Sequence, residues 1–395
     1  MWNSTILPSL KIDSFFGLLV IVFCLVAAAF TTIYIPQPVL PIIQAEFNVN
    51  EVSASITISA VILGIGLSNL PFGKLADSCS IKPIILTGGI VVTLCGLFCS
   101  VTRSLLLFVA ARFIQGLFIP SMTTCIAAYL ARSLPAERLN VVMGSYVSAT
   151  VAGGLAGRLL GGWVYPPQHW RMAFASASVL LLASTIIAAC FLPFEKKVSE
   201  RVPNDKGFLE LISKHELLRI YFVAFGSYFV FSSVFNYMPF YLAGPSFNLG
   251  IESITMMYLT YITGIIIGPI AGIISNRVGN GTTMIFGTII FALSVGITLI
   301  NSVPVIIISL IGICAGFFSI HAAAAGLLNY KLKSSRGRAN SLYVLFYYLG
   351  GSIGITISGY AYLFFSWPGV VALGFLFLLF PLYAGIAETR EFKGI

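Results

Sequence analysis

Hydrophobic and polar positions alternate along this chain on a long scale: extended apolar runs are separated by short polar gaps. The runs lie at about 14–36, 52–72, 83–101, 105–131, 140–165, 172–193, 217–243, 252–274, 282–301, 304–330, 340–366 and 367–388. Each is close to the ~20 residues a helix needs to cross a bilayer. The first run is too long for a secretory signal and ends in a proline cluster, Pro36, Pro38 and Pro41, so it reads as a retained helix. Twelve such spans occupy most of the 395 residues and leave no room for a soluble domain. The pattern predicts an all-α membrane protein of twelve transmembrane helices.

Composition agrees. Charged residues make up 9% and hydrophobic residues 58% of the chain, where a soluble domain carries about 25% charged residues. The net charge of +9 would suit nucleic acid, but the basic residues are dispersed among the polar gaps rather than gathered with aromatics into a patch. Eighteen of the 22 basic residues fall on the side that carries both termini, two fall opposite, and Arg112 and Arg158 lie within spans. That bias predicts cytoplasmic termini.

The longest polar stretch, 194–216, separates two halves that match one another. Thr31-Thr32-Ile33-Tyr34 with Pro38 recurs as Ser232-Ser233-Val234-Phe235 with Pro239, an offset of 201; Gly73 and Asp77 recur as Gly272 and Asn276, an offset of 199. Gly116 and Phe118 recur as Gly316 and Phe318, and Gly153, Gly154, Gly157 and Gly162 recur as Gly350, Gly351, Gly354 and Gly359, offsets of 200 and 197. The expected organisation is an N-terminal six-helix bundle over 1–193, a cytoplasmic linker over 194–216 and a C-terminal six-helix bundle over 217–395, related by pseudo-symmetry. Parallel halves of this kind place a binding cavity at their interface near mid-membrane.

Several chemistries find no motif. There is no HExxH and no GxxxxGK[ST] in the sequence, which argues against a zinc hydrolase and against ATP as the energy source. The seven cysteines form no CxxC or Cys/His grouping, so no metal, disulfide framework or other cofactor is expected.

Arg112 and Arg158 are the candidate substrate-binding charges. A charge at the centre of a membrane helix costs about 2.5–3.5 kcal/mol on insertion scales, so it persists with a partner or a task. Two cations at similar depth on neighbouring helices would attract an anion. Alternatively, both donate to backbone carbonyls freed by the prolines after the first span. All thirteen acidic residues fall in loops or at span ends, so no mid-membrane carboxylate is available for a cation or a proton. Tyr34, Gln37, Asn236 and Tyr237 are candidate cavity-lining residues, next to prolines (Pro36, Pro38, Pro41, Pro239) that break their helices near the outer ends. His321, the histidine inside a span, is the proton-coupling candidate. Glycines at four-residue spacing, Gly153, Gly157 and Gly161, make a smooth ridge for helix packing or for sliding.

At these motifs the chain resembles the major facilitator superfamily over essentially its whole length, and within it the bacterial twelve-helix drug-antiporter-like branch. Gly73-Lys74-Leu75-Ala76-Asp77-Ser78-Cys79-Ser80-Ile81-Lys82-Pro83 is similar to that family's loop between helices two and three. Arg112-Phe113-Ile114-Gln115-Gly116 with Pro120 resembles the branch's fourth-helix motif. The run Gly153 to Gly162 resembles its fifth-helix motif, with Arg158 where the motif has proline. The resemblance implies a secondary transporter, and it makes Asp77 with Lys82 a conformational latch, with Asn276 and Arg277 as the counterpart in the second half. The expectation is a carrier that moves a small organic anion or zwitterion by alternating access, coupled to protons, in the bacterial cytoplasmic membrane. Its partners would be the small-molecule substrate, protons and the lipid bilayer, without nucleic acid or ATP. The alternative is a multidrug exporter of neutral or amphipathic compounds.

Overall fold

The structure, a computed structural model, describes residues 15–134, 136–192, 207–332 and 335–393. Among these the regular elements are all helical. In chain order they are α1 (Phe15–Tyr34), α2 (Leu40–Phe47), α3 (Glu51–Ser78), α4 (Ile81–Val101), α5 (Leu105–Phe118), α6 (Thr124–Ser133), α7 (Ala136–Leu159) and α8 (Arg171–Phe191). There follow α9 (Phe208–Ser213), α10 (His215–Ala243), α11 (Ile251–Met257), α12 (Ile262–Val278), α13 (Asn280–Ile297), α14 (Val303–Lys331) and α15 (Arg336–Lys393). Among the described residues, ten helical stretches are long and apolar enough to cross a membrane. One of them, α15, is two helices meeting at Ser366, whose φ of 53° interrupts the helical path. With its two arms counted separately and α7 added, every one of the twelve apolar runs has its helix.

The breaks have local causes. α1 stops at Tyr34 because Pro36 lacks the amide hydrogen and disfavours helical dihedrals at the residue before it. Pro41 then sits in the first turn of α2, where a missing amide hydrogen costs nothing. The 105–131 run was expected as one helix; it is α5 and α6 joined through a tight turn at Ile119–Ser121 that contains Pro120. Pro239 does not break its helix: α10 runs on to Ala243. The Phe235 carbonyl, which the proline deprives of its amide donor, accepts instead from Tyr258 Oη at 3.0 Å.

By packing, the helices form two compact units, Met1–Ile35 with Leu67–Arg201 and Pro36–Gly66 with Val202–Ile395. In the first, α7 lies along α1 with the glycine ridge inward. A Cβ added at Gly153, Gly157 or Gly161 would stand 2.3, 2.2 and 2.1 Å from the carbonyl oxygens of Ala27, Thr31 and Ile35. In the second, Gly350 and Gly354 face α10 in the same way: a Cβ added at either would stand 2.2 and 2.6 Å from the carbonyl oxygens of Phe225 and Phe229. The ridge is therefore a backbone-to-backbone seam within each unit. The second unit is richer in rings: Phe229 stacks on Phe377 at 3.6 Å and Tyr228 on Tyr347 at 3.8 Å. At the end of α14, Lys331 bridges Glu388 at 2.9 Å, Glu391 at 3.2 Å and Glu216 at 3.4 Å, tying together the ends of α10, α14 and α15.

Residues 36–66 precede the linker, yet they pack with the second unit. Ser352 Oγ donates to the Ser59 carbonyl at 3.0 Å, and a Cβ on Gly66 would lie 3.1 Å from Tyr348 Cβ. The internal repeat records which segments are alike, whereas unit membership follows which surfaces are buried together.

Candidate functional site

The termination of α1 explains Arg112. The last carbonyls of a helix have no intrahelical donor, and in a membrane span water does not supply one. Arg112, on α5 and fully buried, fills that need. Its Nη1 donates to the Thr32 carbonyl at 2.7 Å and to Gln115 Oε1 at 2.7 Å, and its Nη2 donates to the Ile33 carbonyl. Gln115 Nε2 in turn donates to the Val92 carbonyl of α4 at 3.0 Å. The planar fork of a guanidinium suits two adjacent carbonyls, so Arg112 and Gln115 pin α1, α4 and α5 together.

Arg158 is held differently. It is 2% exposed on α7, one turn beyond Gly154, and its Nη1 donates to the Gly154 carbonyl at 2.7 Å. The guanidinium lies over the Tyr34 ring, 3.9 Å from the centroid. This approach depends on the glycine seam that draws α7 onto α1. A Cβ at Gly154 would meet Arg158 Nη1 at 3.3 Å and Tyr34 Cδ2 at 3.5 Å. Directly after it the helix loosens into a π-turn at Leu160–Val164, a feature frequent at functional sites.

The other sequence candidates fall as follows. Gln37 is buried in the turn between α1 and α2 and belongs to the second unit. Asn236 and Tyr237 are buried on α10 in that same unit; Asn236 Nδ2 donates to Ser55 Oγ at 2.8 Å and Tyr237 Oη to the Ile355 carbonyl at 2.8 Å. His321, on α14, has its Nδ1 2.9 Å from Tyr343 Oη and packs beside the rings of Phe317 and Tyr347. Of the latch residues, Lys82 donates to the Cys190 carbonyl at 3.4 Å. Asn276 and Arg277 are exposed at the end of α12. Asp77 lies on α3, and its side chain is outside the described residues.

Structure thus brings Arg158 to Tyr34 in one unit and Asn236 to Ser55 in the other. Sequence reasoning missed Ser55 and Tyr343, which partner Asn236 and His321. A serine or a tyrosine within an apolar run carries no periodic signal. Only the facing helix marks it out.

A twelve-helix membrane protein in two glycine-seamed halves, with cationic side chains buried inside a span, has the build of a solute carrier. Residues 22–330 match the Major Facilitator Superfamily, and residues 253–391 match it a second time. The chain belongs to that family: it is a multi-pass membrane transporter of a small molecule, not an enzyme. It is 29% identical over 370 residues to the inner membrane transport protein YnfM of Escherichia coli (strain K12), covering 92% of this chain and 88% of that protein. Over 288 residues it is 27% identical to the multidrug resistance protein MdtL of Shigella dysenteriae serotype 1, covering 70% of this chain and 72% of that one. Among solved structures, a bacterial homologue of the human lysosomal transporter Spinster, inward-facing and occupied, superposes with a TM-score of 0.77 at 13% identity. That match covers 94% of this chain and 96% of that one and bears on the fold.

Proposed function

We propose that this transporter moves a small organic anion or zwitterion by alternating access, and that Arg158 receives the anionic group. The observation that carries this is the contrast between the two buried arginines. Arg112 is committed to a set of carbonyl and amide oxygens that a broken helix requires. Arg158 is held by a carbonyl of its own helix and by the face of Tyr34, contacts that a guanidinium can keep while it takes up an anion. The acidic residues of the described helices sit within two turns of a helix end, which favours anionic over cationic cargo. An anion that neutralises a buried guanidinium stabilises the loaded state, because a desolvated charge is costly until it is paired.

In the same reading Tyr34 contacts substrate in the first unit, where Arg112 braces α1, and Gln37, Tyr237 and Asn236 are the substrate contacts of the second. His321, paired with Tyr343, exchanges the coupling proton, and Asp77 with Lys82, answered by Asn276 and Arg277, stabilises one conformation. The membrane is the bacterial cytoplasmic one with both termini inside, supported by the YnfM likeness and the basic-residue bias.

The test is a thermal-shift comparison of purified protein against matched panels of organic anions and lipophilic cations. A ligand at about 100 times its dissociation constant adds roughly 2.7 kcal/mol. Stabilisation by anions in the wild type, absent in Arg158→Gln, is the expected result. Stabilisation by cations that survives Arg158→Gln would replace this reading with the second one, a multidrug exporter, which the likeness to MdtL favours.

A further inference from the structure

His321 has one ring nitrogen committed and one open. The residue is half-buried on α14, and its Nδ1 lies 2.9 Å from the hydroxyl of Tyr343 on α15. Tyr343 is buried, and its hydroxyl meets no other described residue. A neutral imidazole donates through one nitrogen and accepts through the other, and a phenol has a single proton. Were Nδ1 the donor, the Tyr343 proton would be sealed in without an acceptor, which is costly. The hydroxyl therefore donates to Nδ1, and the ring proton sits on Nε2. No described residue bonds Nε2, yet it is not among the sealed atoms without a partner, which are Thr93 Oγ1, Ser121 Oγ, Tyr221 Oη and Asn236 Oδ1. It is a fixed donor with an open side, set among the rings of Phe317, Tyr343 and Tyr347. A histidine inside a span faces the bundle interior or a cavity by default.

The titratable groups around this ring in the second unit are neutral ones. From α15 they are Tyr343 and Tyr347, and from α10 Tyr228, stacked on Tyr347 at 3.8 Å. The turn before α12 brings Tyr258 and Tyr261. α12 itself has only Arg277, in its last turn, α13 has none, and α14 adds Cys314 two turns away. The carboxylates Glu216, Glu388 and Glu391 are gathered on Lys331, about 15 Å along α14 from His321. Taking from the reading above only the anionic class of the cargo, we infer that His321 Nε2 donates to the anion in the second unit, and that anion and proton are taken up together. In the step, a proton from solution forms an N–H bond at Nδ1, and the Tyr343 hydroxyl turns from donor to acceptor. In the empty site that step would strand the Tyr343 proton and leave a cation unpaired. With the anion at Nε2 the imidazolium is paired, so each ligand favours the other. Coupling of that sign is symport, with Tyr343 as the positioning residue.

The experiment measures proton uptake on binding, with a pH-indicator dye and the purified full chain in weakly buffered detergent solution. The probes are propionate and benzoate, with ethanesulfonate and benzenesulfonate as strong-acid counterparts that stay ionised and bring no proton of their own. A probe that stabilises the wild type should draw protons from solution as it binds. Its affinity should tighten by up to about tenfold for each pH unit lowered, the limit for one proton. His321→Gln keeps an N–H donor but does not titrate, so it should bind without uptake and with a flat pH profile. Tyr343→Phe leaves the imidazolium Nδ1–H without an acceptor; it should take up fewer protons at the same pH, and it serves if His321→Gln does not fold. Anion binding without uptake, or with proton release, would overturn this inference and leave the Arg158 reading standing. Uptake that persists unchanged in folded His321→Gln or in Tyr343→Phe would do the same. Failure of every probe to stabilise the wild type would overturn the anion reading, and this one with it.

Discussion

The guanidinium of Arg158 rests 3.9 Å from the centre of the Tyr34 ring. The two residues lie on helices distant in sequence, and they meet because Gly157 and Gly161 let α7 settle directly on the carbonyl oxygens of α1. The ring face offers a cation electrostatic relief through its quadrupole.

If the ring supports the buried cation, the face of residue 34 matters. Tyr34→Phe keeps that face and should lose less stability than Tyr34→Leu. Tyr34→Leu should lose about 1 kcal/mol, the scale of a desolvated cation–π contact. Thermal unfolding in detergent, without ligand, separates the two; equal losses in both variants would mean the contact is incidental.

Arg112 should behave as scaffold. Arg112→Leu strips the donors from the Thr32 and Ile33 carbonyls, each worth about 1–3 kcal/mol when left unmet in the interior. A sharp fall in the monodisperse fraction on size exclusion is expected. Arg112→Lys should not rescue it, since an ammonium cannot reproduce the fork. A well-folded Arg112→Leu protein that has lost ligand binding would instead return this arginine to the binding residues.

The glycine seam supplies its own control. A Cβ at Gly157 would come 2.2 Å from the Thr31 carbonyl oxygen, whereas one at Gly272 would meet nothing within 4 Å. Gly157→Ala should therefore destabilise by about 1–3 kcal/mol, as overpacking does. Gly272→Ala should be neutral. Melting temperatures of the pair, measured in one detergent, check this directly, and equal values would argue that the seam opens.

Much of the candidate site was legible as chemistry and illegible as geometry. Arg112 and Arg158 stand out in the sequence because charges inside apolar runs are rare, and for the same reason they look equivalent there. Their partners make them different. The donors of Arg112 go to a helix end whose break Pro36 already announces, yet nothing in the local sequence says that α5 is the helix lying against that end. Pro120 and Pro239 illustrate the limit in another way: two prolines of the same chemistry, one of which sits in a helix break while the other rides within a helix.

The sequence by itself determined the twelve apolar spans, the repeat of the two halves and the seams of small residues, because each of these is written in periodicity, length and residue size along the chain. Only the tertiary structure decided that residues 36–66 pack with the second unit, that Arg158 shares its place with Tyr34, and that His321 meets the hydroxyl of Tyr343. These depend on which helix faces which. In an apolar setting that choice follows from the fit of small surfaces and the direction of single hydrogen bonds, and neither leaves a periodic mark in the order of residues.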